Sequence, residues 1–233
     1  MDHHLSVGAQ GTHDGFKDQY YRGNRPNGIY IPRFRNLNGK NMAKDYLRGF
    51  GYQGGGSREG WNRGVGMEAI GADLKKAVQT PGDWTLRLSG FGECLPYHEN
   101  YMKLTEEVDQ WGMPIIAIDA IFRENEANMR RDMANDAAEM LEKAGFKNIN
   151  PYDNRSSFYV GLGIHEMGTA RMGHDAKTSV LNKYNQVHGC ENVFVTDGSF
   201  MTSSACQNPS LTYMAFTARA VAFAADQLKK GYL

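Results

Sequence analysis

Cysteine is scarce in this sequence: there are three, Cys94, Cys190 and Cys206, far apart and without CxxC or Cys/His ligand spacing. That excludes a structural zinc site or an iron–sulfur cluster held by repeated thiolates, and the three read as ordinary buried thiols. A surplus of one charge is missing too. Lys plus Arg and Asp plus Glu are both 26, so no net field draws nucleic acid or anionic membrane, and a small neutral substrate suits the chain better. No apolar run approaches the roughly 20 residues of a membrane span. The opening MDHHLSVGAQG lacks the hydrophobic centre of a signal peptide. There is no strand, GxGxxG and helix unit for a dinucleotide. Gly161-Leu162-Gly163 with Gly168 imitates one, but the spacing is wrong and no long helix follows.

With 233 residues, 41% of them hydrophobic, the chain can bury a proper core in one or two domains. Residues 1 to about 66 read mostly as loop, with one extended stretch, Gly28 to Phe34, whose alternation suits a strand with one apolar face. Gly51 to Gly60 reads as a flexible surface loop, since no Lys-Ser/Thr closes its glycines into a phosphate cradle. Trp84 to Phe91 and Pro114 to Phe122 read as strands of one sheet. From Glu124 to Ala144 the period becomes helical. Met129, Met133, Ala137, Met140, Leu141 and Ala144 form an apolar stripe, while Arg130, Arg131, Asp132, Asp136, Glu139 and Glu142 fill a solvated face and Gly145 stops the helix. Asn150 to Ser157 reads as a polar linker, Asn192 to Thr196 as a short buried strand, and Asp197-Gly198-Ser199 as a turn. Pro209 to Lys230 is a helix apolar almost all round, which belongs against a larger body.

Two segments carry candidate chemistry. Gly163 to Gly173 sets one imidazole, His165, among glycines that let a ligand come close, although a lone histidine also fits a hydrogen-bonded structural role. Asp197 to Thr212 ends a strand in an acid and glycine, then delivers Asn208-Pro209 to a helix start. Asn there is a good N-cap and Pro a good first residue, and the helix start also offers free N–H groups and a positive dipole end to an anion. His3, His4 and His13, with Asp2 and Asp14, are metal-ligand types without helical spacing; His174 and His188 read as structural or exposed, and His98 has no partner that the sequence names.

In this order, His165 to Gly173, Val187 to Ser199 and Asn208 to Arg219 resemble HxxGTxRMG, VxGxxNxFVxDGS and NPxLTxMAxxxR, the closing motifs of the glucose-methanol-choline (GMC) oxidoreductases. The earlier residues, including Arg25 to Pro32, resemble the substrate domain of the family's bacterial sugar dehydrogenases. The resemblance implies an α+β fold. In it residues 1–160 form a substrate-binding domain, an antiparallel or mixed sheet packed by helices, and 161–233 form the C-terminal segment of an FAD-binding α/β domain. It implies that His165 is the base taking a hydroxyl proton while hydride leaves for flavin N5, with Asn208 hydrogen-bonding the same hydroxyl. Asp197 and Gly198 are then placed near the FAD pyrophosphate and ribityl region, and Asn208, Pro209, Ser210 and Leu211 near the flavin pyrimidine edge. It further implies an alcohol or sugar substrate, a separate N-terminal FAD-binding region, without which these 233 residues hold FAD weakly or not at all, and a small subunit or cytochrome as electron acceptor. Two readings compete: a non-catalytic carbohydrate-binding module, and a metal hydrolase built on the N-terminal histidines.

Overall fold

The computed structural model describes residues 1–17, 28–79 and 81–233. Arg25, Pro26 and Asn27, part of the stretch likened to sugar dehydrogenases, lie outside the described residues. In chain order the elements are β1 (His3–His13), β2 (Ile29–Ile31), β3 (Phe50–Arg58), α1 (Gly71–Gln79), β4 (Trp84–Glu93), β5 (Tyr101–Val108), β6 (Pro114–Asp119), α2 (Glu124–Lys143), β7 (Lys147–Asp153), β8 (Gln186–Val187), β9 (Cys190–Phe194) and α3 (Ser210–Lys229). The fold is α+β, as expected. Its main sheet has five strands in the order β2-β3-β4-β1-β7, every neighbouring pair antiparallel.

α2 lies across β1, β4 and β7. Its stripe Met129, Met133, Ala137 and Leu141 is fully buried against Val7, Ala9, Phe50, Tyr52 and Leu88, and this is the core. Gly145, at φ 83°, ends the helix as the sequence indicates. The charged face is not wholly solvated. Arg130 is buried completely, its Nε and Nη2 donating to Asp153 Oδ1 at 2.9 and 2.6 Å and its Nη1 to Leu5 O at 2.8 Å. It is fully paired, which is what makes a buried guanidinium tolerable.

Several local expectations are corrected. Gly51 to Gly60 is not a surface loop but most of β3, paired on both sides. Its glycines allow close strand approach: a Cβ on Gly51 would lie 2.9 Å from Ile31 O. Gly49, Gly51 and Gly54 have GxGxxG spacing, but they lead into and along a strand, with no helix start to receive a phosphate. The first half of the supposed polar linker, Asn150 to Asp153, belongs to the edge strand β7, and the N-terminal "loop" holds the eleven-residue β1. β6 does not share a sheet with β4; among the described residues it pairs only with β5. Cys190 is exposed, unlike buried Cys94 and Cys206. β9 is mostly exposed rather than buried.

Alternation along the strands leaves the sheet face opposite α2 to polar residues. Register aligns Tyr30, Gln53, Ser89, Gly8 and Tyr152 in one row across all five strands. Beside them lie Arg87, Gln10 and Asn150. Tyr152 Oη lies 2.7 Å from Ser89 Oγ and accepts from Arg87 Nε at 2.9 Å, so the row is hydrogen-bonded within itself.

Candidate active site

His165 sits in a loop, and its backbone is held from the start of the chain. The buried Asp2 carboxylate accepts N–H bonds from Gly161 and Gly163 at 2.9 Å, from His165 at 3.3 Å and from His3 at 2.7 Å. Met1 and Met167 exchange backbone bonds at 2.9 and 3.0 Å, closing the two segments together. Within this cradle Ile164 takes a left-handed φ of 59° while its side chain is 83% exposed. For a β-branched residue that conformation costs about 1–2 kcal/mol, which packing does not repay here. The strain lies one residue before the candidate base.

The imidazole has its own partner. His165 Nδ1 lies 2.8 Å from His3 Nδ1, the rings meeting edge to face. His3 is completely buried, and its Nε2 faces Ala205 O at 2.5 Å and Ser204 Oγ at 2.7 Å. Burial above all holds its pKa below the usual histidine value, so it is neutral near pH 7. Glu93, the cross-strand partner of His3, accepts from the Ser204 backbone N–H and lies 3.9 Å from the Arg48 guanidinium. Burial pushes its carboxyl above the usual range. The turn at 204–205 is thus gripped from adjacent strands.

That turn leads to Asn208. The Asn208 side chain does not cap α3 as anticipated; its Oδ1 accepts from Gln53 Nε2 at 2.6 Å, while Gln207 Nε2 donates to Tyr30 Oη at 2.8 Å. Asn208 is therefore exposed over the polar sheet row, and the N-cap position falls to Pro209, which has no capping side chain. Ser210 and Leu211 are exposed at the helix start; the first intrahelical N–H bond from this end runs from Tyr213 to Pro209 O. Asp197 and Gly198 lie in a 3-10 turn, where Asp197 accepts from Ser199 N at 2.9 Å. A Cβ on Gly198 would lie 2.5 Å from Glu166 O, so this turn packs directly against the His165 loop.

Residues 1–3 thus hold the His165 loop and the turn three residues before Asn208, while the Asp197–Gly198 turn packs on Glu166 of the same loop. In the sequence His3 and Asp2 read only as metal-ligand types, whereas the structure sets both against the His165 loop. The three N-terminal histidines part company: His3 faces His165, His4 is enclosed near Phe122, and His13 stacks on Phe16. Among the described residues no group of three His, Cys, Asp or Glu is arranged to hold a metal. One cleft of about 330 Å³, lined by Arg35, Tyr46, Asn128, Arg131 and Asp132, lies beside α2 and includes neither His165 nor Asn208.

The Asn208 carboxamide thus lies beside the polar sheet face at an uncapped helix start, and the His165 imidazole is joined to the turn before it through His3. Residues 96–217 match the GMC oxidoreductase family, and the chain belongs to it. It is 34% identical over 137 residues to a 6'''-hydroxyparomomycin C oxidase of Streptomyces lividus, covering 57% of this chain and 24% of that protein. A 2-methyl-1,2-propanediol dehydrogenase of Mycolicibacterium austroafricanum is 34% identical over 139 residues, 56% of this chain and 23% of its own length. The fructose dehydrogenase large subunit of Gluconobacter japonicus is 36% identical over 67 residues, 29% of this chain and 12% of that subunit. The chain thus spans about a quarter of the length of the first two relatives, 24% and 23%.

Proposed function

We propose that this chain is the catalytic C-terminal portion of an FAD-dependent dehydrogenase oxidising a CH–OH group, most suitably of a sugar or sugar derivative. Residues 1–160 form its substrate domain and 161–233 its share of the FAD-binding domain. The observation that carries this reading is the connected path from His165 through His3 to the turn that presents Asn208 beside the polar sheet row. Tyr30, Gln53, Ser89, Arg87 and Tyr152 offer the alternating donors and acceptors that a polyhydroxylated molecule needs. The relatives named as a paromomycin-type oxidase, a propanediol dehydrogenase and a fructose dehydrogenase all carry names of hydroxylated compounds.

The residues suit the flavin end of FAD. An uncapped α3 start leaves N–H groups of Ser210 and Leu211 for an electron-rich ring edge, and the exposed Leu211 side chain gives the ring an apolar neighbour. Asp197 and Gly198 take the ribityl and pyrophosphate side. The adenosine end has no such cradle among the described residues. Bound there, FAD supplies the acceptor for hydride at its N5.

His165, through its Nε2, takes the proton of the substrate hydroxyl, which makes the carbinol C–H a better hydride donor; a positioned base contributes about 10²–10⁴-fold. Asn208 donates from its Nδ2 to the same hydroxyl oxygen while Gln53 holds its Oδ1, fixing the amide's orientation. In the flavin-loaded protein, His165→Ala is expected to slow substrate-driven bleaching of the flavin by about 10²-fold or more while sugar binding persists. Bleaching at the unmodified rate would leave a carbohydrate-binding module, with His165 structural.

A further inference from the structure

We propose that Asp2 and His3 are positioning residues for His165: Asp2 fixes the backbone of its loop, and His3 locks its imidazole in the tautomer with a bare, proton-accepting Nε2. The proposal rests on the reading of His165 as the base, and it gives that base its protonation geometry.

The tautomer follows from a main-chain atom. Ala205 O can only accept, and it faces His3 Nε2 at 2.5 Å, so His3 Nε2 carries the hydrogen. Ser204 Oγ does not reverse this assignment. Its hydroxyl hydrogen is directed to Ala205 O at 2.7 Å, which leaves its lone pairs toward His3 Nε2. A neutral imidazole carries one N–H, so His3 Nδ1 is an acceptor. Its neighbour at 2.8 Å, His165 Nδ1, must then be the donor. In neutral His165 the remaining nitrogen, Nε2, holds the lone pair. The chain of assignments thus runs from the Ala205 carbonyl through two imidazoles and ends on a base.

Burial of His3 keeps it neutral, which the relay requires: a protonated His3 would present a second donor to His165. Asp2 contributes the other half. By accepting three loop amides it holds Ile164 left-handed and so sets the direction from which the next residue, His165, projects. One dipeptide at the end of β1 therefore governs both the backbone and the ring of a residue 162 positions away.

Histidine-selective ¹⁵N NMR of the chain tests this without any substitution. The expected spectrum near pH 7 has His165 protonated at Nδ1 and His3 at Nε2; a His165 protonated at Nε2, or averaging between tautomers, overturns the proposal. Two substitutions sharpen it. His3→Asn keeps an acceptor near the Nδ1 position and preserves the His165 tautomer. His3→Gln reaches the 204–205 turn but offers His165 no acceptor, and the single tautomer is lost. The reverse order would make His3 a holder of the turn only and would refute the relay. Should either variant fail to fold by circular dichroism, the wild-type assignment decides alone. In the flavin-loaded protein, His3→Gln slows flavin reduction by about tenfold or more with substrate binding unchanged, and His3→Asn does not. If His165→Ala left flavin reduction intact, the base assignment would fail, while the NMR result would still stand on its own.

Discussion

His4 follows His3 on β1 but meets no hydrogen-bond partner. It is completely buried, both ring nitrogens are unpartnered, and the imidazole lies near the Arg130 guanidinium and against Gly92, which Met133 also crowds. Burial first, then Arg130 and His3, hold its pKa well below 6.5. The folded state therefore refuses a proton that the unfolded state accepts below about pH 6.5, so stability is complete above that value and falls as pH drops towards the folded pKa. His3 shifts in the same direction and adds to the loss. His4→Leu removes the larger contribution, and urea unfolding of the variant at pH 7 and pH 5 is expected to show a smaller acid-induced fall than wild type. An equal fall would place the proton uptake elsewhere. At this scale the sequence speaks through motifs. His165, Asp197, Gly198 and Asn208 are singled out by their neighbours along the chain, whereas Asp2 and His3 make contacts about 160 to 200 residues away, which no local spacing can reveal.

Among the elements, α2 was read nearly to the residue because its stripe has the helical period and a glycine ends it. β3 and β7 were missed for physical reasons. Glycines suppress strand propensity in β3 yet are what its close approach to β2 and β4 requires, while β7 is an exposed edge strand with a polar pattern. β1 was missed because its buried end is His3 and His4, not the aliphatic run that marks a central strand. Arg130 ties three of these pieces together, joining α2 to Leu5 O on β1 and to Asp153 on β7. Arg130→Ala is expected to cost about 3–5 kcal/mol in chemical unfolding, since it strands a carboxylate and a carbonyl. Arg130→Lys rescues only part of it, because one ammonium cannot reproduce both the two bonds to Asp153 and the bond to Leu5 O.

At the scale of the whole molecule, the β5–β6 hairpin and α3 both leave apolar surface uncovered. Register sets Met102 opposite Ile118 and Leu104 opposite Ile116, so one face of the β5–β6 hairpin is an exposed apolar row, and α3 exposes Leu211, Met214, Val221 and Leu228. Contiguous apolar patches of this kind drive association. The 233-residue chain is expected to sediment with a mass that rises with concentration, and the double substitution Ile116→Lys, Ile118→Lys to reduce that rise; a concentration-independent monomer would refute it. The sequence foretold the uncovered helix from its all-round apolarity, but not the hairpin, whose strand was assigned to the main sheet. The joining of the chain's first residues to its last loops also has a consequence in time. His3 and the Ala205 carbonyl it bonds lie 202 residues apart, so at roughly 5–20 residues per second a ribosome takes about 10–40 s to pass from one to the other. Through that interval β1, β4 and eventually β7 can pair, while the turn that fixes the His3 ring is still to be made.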